Sequence, residues 1–172
     1  MHTRDTLLTI YDNMLGSLDG WLAKAGEHPG GDGLLATRLA PDMFPLARQI
    51  RFCCNLPGEA MAATSDVAYG SSDIDDTTLA AARERIAGTR ALVAGWREVA
   101  LADDDAPVIL TLANGMTFDC TTQGYVRDWA LPQFYFHLMT AYGILRAEGV
   151  MLGKVDYVGY MLAHLRRPAA SA

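Results

Sequence analysis

The 172-residue chain has few charged residues, an excess of acidic over basic ones, and no long uncharged run. Charged residues make up 20% of it, and 14 Lys and Arg against 20 Asp and Glu give a formal net charge of -6. Such a chain lacks the basic surface that neutralises phosphates, which argues against a nucleic-acid partner or an anionic membrane. The longest uncharged run, Trp129–Leu145, is shorter than the roughly 20 residues of a transmembrane helix.

Cysteine is scarce as well, with only three residues, of which Cys53 and Cys54 are adjacent. Neighbours on a helix point about 100° apart, so these two thiols neither share one metal ion easily nor form an unstrained disulfide. The N-terminal residues lack the basic and apolar blocks of a secretory signal. The sequence therefore predicts a cytoplasmic protein with reduced thiols.

Hydrophobic residues make up 51% of the chain, and many of them recur at helical spacing. A stripe that repeats every seven residues predicts a first helix from Thr3 to about Ala25. Three further stretches have the same kind of spacing, and they predict helices from Pro41 onward, over residues 77–99 and over residues 123–148.

Prolines and one alternating segment modify this helical pattern. Pro57 removes a helical hydrogen bond and predicts a kink or break near Asn55, and Pro132 predicts a kink in the last long helix. Residues 108–120 alternate in polarity about an Asn-Gly pair, which predicts a β-hairpin. A short amphipathic stretch, residues 157–165, follows the last long helix.

Together these elements predict an all-α fold in a single domain over residues 1–172. The predicted architecture is a four-helix bundle with a small β-hairpin inserted before the last long helix and a short C-terminal helix. The chain has no phosphate-binding loop, no CxxC pair and no H-E-x-x-H sequence. Function must therefore be sought in polar residues that interrupt the apolar helices.

Five such residues are candidates for a site. Gln133 and His137 lie four apart, and therefore on one face of the last helix, with Tyr135 nearby. Arg48 and Gln49 interrupt the second helix, and facing helices of a bundle build sites from inward polar residues. His137 is the candidate acid/base residue because a free imidazole titrates near neutral pH, and the other four are candidate ligand-binding residues.

Two longer segments, Arg38–Gln49 and Leu131–Lys154, resemble the two signatures of an uncharacterised bacterial family in the DinB/YfiT-like superfamily of proposed metalloenzymes. The resemblance implies a DinB-like four-helix bundle that forms a homodimer. It also implies a metal site built from one histidine of the second helix and an H-x-x-x-H pair on a late helix. His137 stands at the second histidine of that pair, Gln133 at the first, and Gln49 near the position on the second helix.

Two neutral amides thus stand where the superfamily has imidazoles. Zinc and nickel prefer imidazole and thiolate ligands, so this set predicts weak binding of a divalent metal, with His137 as its ligand if one binds. Three functions stay open, and with them whether the protein is an enzyme. They are a pocket for a small polar ligand around Gln49, Gln133, Tyr135 and His137; a divalent-metal transferase or hydrolase; and a structural or dimeric interaction protein whose polar residues only satisfy one another.

Overall fold

The computed structural model describes residues 3–166, which form a mostly helical protein with one two-stranded antiparallel sheet. In chain order the α-helices are α1 (Thr3–Gly26), α2 (Leu46–Thr64), α3 (Leu79–Gly95), α4 (Thr122–Tyr125), α5 (Leu131–Ala147) and α6 (Lys154–Tyr157). The strands are β1 (Pro107–Thr111) and β2 (Thr117–Thr121), and 3₁₀ turns cover Gly31–Ala36, Trp96–Glu98 and Gly159–His164. Within this part of the chain, no helix is long and apolar enough to cross a membrane.

The core forms around α1, where the prediction from the seven-residue stripe is confirmed. Leu7, Met14 and Trp21 are at most 1% exposed. The helix α1 packs mainly against α3 and the helix α2 mainly against α5, while α2 also contacts α3 and α1 also contacts α5. This arrangement places α2 and α5 side by side, and these are the two helices that carry the candidate site residues.

The helix α2 begins at Leu46, so the start at Pro41 that the sequence predicts is wrong. Residues 41–45 form a turn and a short extended stretch, and Pro45 is the N-cap of the helix. A proline disfavours the helical conformation in the residue before it, so Phe44 cannot belong to the same helix. The carbonyl of Pro45 accepts from the backbone N–H of Arg48 and of Gln49, at 3.0 and 3.1 Å.

Of the kink or break predicted near Asn55, the break is wrong, since α2 continues through Pro57 to Thr64. A proline inside a helix costs about 3 kcal/mol, because one hydrogen bond is lost and the ring crowds the preceding turn. This helix is buried on most of its sides, with Pro57 and Asn55 among its buried residues. Tertiary packing therefore outweighs the local cost of the proline.

The polar segment of residues 65–78, between α2 and α3, is irregular, as its composition predicts, and it lies against α2. Asn55 holds Ser72 by two hydrogen bonds: its Nδ2 donates to the Ser72 carbonyl at 2.8 Å, and its Oδ1 accepts from the Ser72 amide at 3.2 Å. The ring of Tyr69 covers Gly58, where an added Cβ would meet the ring at 2.3 Å. These contacts hold the segment on the helix.

The last long helix is continuous from α4 to α5, but it contains a π-helical turn over Val126–Ala130. The amide of Leu131 bonds the carbonyl of Val126, five residues back, just before Pro132. The wider turn gives the proline ring space, so the helix passes Pro132 without a break. The helix ends at Ala147, and Gly149, just beyond its C-cap Glu148, has a left-handed φ of 92°.

The predicted β-hairpin is confirmed, with Val108 opposite Cys120 in its antiparallel register. Its connection is a three-residue loop, because the amide of Gly115 bonds the carbonyl of Leu112 at 2.9 Å and Gly115 has a φ of 85°. Val108 is 6% exposed, so one side of β1 lies on the core.

Candidate functional site

A hydrogen bond between two of the predicted site residues joins α2 to α5. Gln49 is 1% exposed, and its Oε1 lies 2.8 Å from Nδ1 of His137. The other polar atom of this side chain, Nε2, donates to the backbone carbonyl of Phe44 at 3.1 Å. Both polar atoms of the buried glutamine are therefore bonded within the protein, as burial of an amide requires.

These two contacts determine which nitrogen of His137 carries the proton. A carbonyl oxygen can only accept, so the amide nitrogen of Gln49 must face Phe44 and its oxygen must face the imidazole. The imidazole then donates from Nδ1, and Nε2 of the neutral ring keeps its lone pair. Gln49 thus selects the tautomer whose Nε2 can accept a hydrogen bond or a proton.

The Nε2 atom of His137 is not fully buried. Among residues 3–166, the hydroxyl of Tyr11 is the only buried side-chain nitrogen or oxygen without a hydrogen bond, and Nε2 has no partner in this part of the chain. Desolvation of the half-buried ring lowers the pKa of His137 from 6.5 to about 4, because burial disfavours the charged form. At neutral pH the ring is therefore uncharged and its Nε2 is available.

Two phenylalanine rings contact this imidazole, and a third contacts one of them. The ring centroid of Phe52 is 4.5 Å from that of His137, and Phe136 meets it edge-on at 5.2 Å. Phe44 lies 5.7 Å from Phe52 and completes the row. Because Phe44 and Phe136 are 47% and 57% exposed, a neutral hydrogen-bond acceptor lies beside an accessible aromatic surface.

Gln133 is placed one helical turn before His137, on the same side of α5. Helical side chains lean toward the N-terminus, so the imidazole leans toward the turn that carries Gln133. The half-buried amide of Gln133 has no hydrogen bond to any other residue between 3 and 166. Among Gln49, Gln133 and His137 the structure thus contains one hydrogen bond, that between Gln49 and His137.

Tyr135 lies on a different side of α5. Two residues along a helix correspond to a rotation of about 200°, so the side chains of Tyr135 and His137 point in nearly opposite directions. Burial and the neighbouring Tyr157 and Tyr160 raise the pKa of Tyr135. The structure therefore groups Tyr135 with tyrosines near the C-terminus and does not bring it to the imidazole.

Arg48 lies at the edge of the aromatic row, and a carboxylate that sequence reasoning missed connects it to a second arginine. Its Nε donates to Asp75 at 3.1 Å, and its Cζ lies 5.0 Å from the centroid of Phe44. The other oxygen of Asp75 accepts from Nε of Arg51 at 2.6 Å, and the Cζ of Arg51 lies 5.0 Å from the centroid of Phe52. Each of these two rings thus has one guanidinium against it, and one carboxylate joins both cations.

The rings of the site were also missed from the sequence, although a signal was present. Phe44, Arg48 and Phe52 are spaced four residues apart, and such spacing places side chains on one face of a helix or directly beside it. Asp75 had no comparable signal, because it lies in a polar segment with several carboxylates and no periodicity.

The donor set does not fit a zinc or nickel ion. His137 provides the one imidazole, and both polar atoms of Gln49 are bonded within the protein. Cys53, one turn beyond Gln49, is 0% exposed, and burial raises the pKa of its thiol well above the usual value, so it stays protonated. In the part of the chain between residues 3 and 166, no three His, Cys, Asp or Glu side chains form a metal-binding group. The arrangement therefore supports chemistry of the imidazole alone.

Five of the grooves on the surface of residues 3–166 have volumes of about 280 to 450 Å³. None of these five is lined by Gln49, Gln133 or His137. The exposed aromatic surface near the imidazole, that of Phe44 and Phe136, thus lies outside these grooves.

Comparison with known proteins supports the resemblance inferred from the two sequence segments. The family described as "Domain of unknown function (DUF1993)" matches residues 4–158. The crystal structure of a DinB family member protein from Shewanella denitrificans is similar, with 29% sequence identity and a TM-score of 0.75. The similarity covers 98% of this chain and 95% of that chain. A search of curated proteins finds no match.

Proposed function

The chain belongs to the family described as a domain of unknown function (DUF1993), and on that premise we propose that it binds a small polar ligand at His137 without a tightly bound metal. We propose in addition that its α1, α2, α3 and the composite helix α4–α5 form a DinB-like four-helix bundle. The observation that carries the ligand site is the hydrogen bond between Gln49 and His137. It leaves Nε2 of a neutral imidazole facing solvent between aromatic rings.

The proposed ligand has a hydrogen-bond donor and a small apolar body. Nε2 of His137 accepts from the donor, and the apolar part lies against Phe52 and Phe136. The amide of Gln133, one turn away, is placed for a second polar contact. In this role Gln49 acts through the imidazole, since both of its own polar atoms are already bonded.

Binding is favoured over acid/base catalysis by the electrostatics of His137. A general base is most effective when its pKa lies near the working pH, whereas burial holds the pKa of this ring at about 4. At pH 7 Nε2 accepts a hydrogen bond readily but is protonated only rarely. We therefore propose hydrogen-bond acceptance, and not proton transfer, as the main role of His137.

Phenol is a suitable probe, because it combines one donor with an aromatic body. We expect saturable shifts of the His137 Hε1 signal and of the Phe52 and Phe136 ring signals in an NMR titration with phenol, and the two phenylalanine rings report binding in every variant. The variant His137→Asn should lose this binding and Gln133→Leu should weaken it, while His164→Asn, outside the site, should bind as the wild type does. A titration without saturation, or full binding by His137→Asn, would refute the proposed site.

Metal content is measured separately on protein purified without an affinity tag. We expect zinc and nickel well below one ion per chain, because one imidazole and two amides make a weak donor set. Stoichiometric metal in the wild type that is lost in His137→Ala would contradict the proposal and support a divalent-metal transferase or hydrolase instead.

We also propose that the protein is a homodimer, because exposed apolar side chains lie close to the site. Met139 on α5 is 42% exposed, and Leu39, against Gly143 of the same helix, is 49% exposed. Apolar surface of this kind marks interaction sites. Sedimentation velocity at micromolar concentration should show a dimer that Met139→Ser weakens, and a wild-type monomer would contradict this proposal.

A further inference from the structure

Two arginines and one aspartate lie beside the aromatic rings of the proposed site. Arg48 and Arg51 share one carboxylate, that of Asp75, so this cluster carries one uncompensated positive charge. A local positive charge is unusual for a chain whose net charge is -6. Because guanidinium groups stay protonated at every physiological pH, the charge is permanent.

The two arginines differ in how many of their donors are already used. Arg51 is 8% exposed, and it gives Nε to Asp75 and Nη1 to the Ser72 carbonyl. Arg48 has a side chain that is 37% exposed, and within residues 3–166 only its Nε has a hydrogen-bond partner. Both terminal nitrogens of Arg48 therefore remain available, and a planar pair of N–H donors matches a carboxylate.

The position of Arg48 relative to His137 follows from α2. Arg48 precedes Gln49, the residue that bonds the imidazole, and it lies one turn from Phe52 on the same side of the helix. Its guanidinium lies against Phe44, while the imidazole lies against Phe52. Of the two neighbouring rings, Phe44 thus has a cation with free donors against it, and Phe52 has the neutral imidazole as well as the fully engaged Arg51 against it.

From this arrangement we infer that the site selects an anion: an aromatic carboxylate whose acid group pairs with Arg48 and whose hydroxyl donates to Nε2 of His137. The inference rests on the proposed ligand site at His137 and specifies the chemical class of its ligand. Asp75 accepts from Nε of Arg48, and among residues 3–166 the two terminal nitrogens of this guanidinium stay without a hydrogen-bond partner.

Two probes of nearly equal shape test the charge preference: 4-hydroxybenzoate and the neutral 4-hydroxybenzamide. A single exposed ion pair is weak, but a bidentate contact between arginine and a carboxylate is stronger. We therefore expect the wild type to bind the benzoate about fivefold more tightly than the benzamide. Affinities are measured by NMR titration of the His137 signal at low salt. Arg48→Gln should reduce the ratio to about one while affinity for the benzamide is kept.

The matched control is Arg83→Gln, which removes a similarly exposed arginine that pairs with Asp19 between α3 and α1. It should keep the full preference for the benzoate. Equal binding of the two probes by the wild type, or an unchanged ratio in Arg48→Gln, would overturn the inference and leave the ligand site standing. If neither probe shifts the His137 signal, both the inference and the proposed function fail.

Discussion

Burial of His137 should make the stability of the protein depend on pH. The folded protein takes up this proton only near pH 4, whereas the unfolded chain takes it up near 6.5. As the pH falls through this window, the unfolded state is protonated first, so the free energy of unfolding decreases. The contribution is present in full above pH 6.5, and below about pH 4 no further loss occurs because both states are protonated.

The size of the effect follows from the two pKa values. The fall in the pKa of His137 from 6.5 to about 4 sets an upper limit of about 3 kcal/mol on the loss in the free energy of unfolding. Because the ring is half-buried and Nε2 meets solvent, screening reduces the loss, and we expect about 1.5 kcal/mol. The measurement is urea unfolding of the wild type and of His137→Asn at a series of pH values between 7 and 4.

Asparagine is the suitable comparison because it does not titrate and its amide N–H can replace the Nδ1–H that bonds Gln49. Carboxylates titrate in both proteins and cancel in the difference, so the wild type should lose about 1.5 kcal/mol more than the variant between pH 7 and 4. A constant difference across this range would refute the reasoning. So would an NMR titration of the His137 ring with a midpoint near 6.5.

Three further predictions concern other parts of the structure. Gln49→Leu leaves the Phe44 carbonyl and the imidazole without partners, so urea unfolding should show a loss of about 2 to 3 kcal/mol, and an unchanged stability would contradict the buried hydrogen bonds. Gly58→Ala gains helix propensity but drives a methyl group into Tyr69, so we expect the free energy of unfolding to fall by about 1 to 3 kcal/mol. In a Tyr69→Ala background the same substitution should cost less, and a stabilised Gly58→Ala single variant would argue against this packing. Of the three cysteines only Cys120 is not buried, so a thiol reagent should label one thiol per native chain and three after unfolding, and rapid labelling of more than one native thiol would disprove this burial.

The helices could be predicted from the sequence wherever an apolar stripe decides the structure. The stripe of α1 gave correct bounds because burial of its apolar side chains dominates the local free energy. Pro57 shows the limit of this reasoning. A proline disfavours a helix locally, yet α2 continues through it because the surrounding helices bury this stretch, and the sequence does not show that packing.

The candidate site was predictable only in part, for the same reason. The spacing of Gln133 and His137 places them on one helical face, and the polar residue Gln49 interrupts an apolar helix. No periodicity relates residue 49 to residue 137, which lie on different helices. The contacts of Asp75 with Arg48 and Arg51 also depend on how the segment of residues 65–78 lies against α2.

The sequence by itself determined the presence of the long helices, the hairpin and the family, but not the bounds of α2, since apolar periodicity, turn residues and the two family segments are local properties of the chain. Only the tertiary structure decided the state of the imidazole. The Nδ1 proton of His137 is assigned because Gln49 is held by the Phe44 carbonyl, and the pKa is low because neighbouring helices exclude water. Hydrogen-bond direction and desolvation depend on atoms from separate elements, and folding alone brings these atoms together.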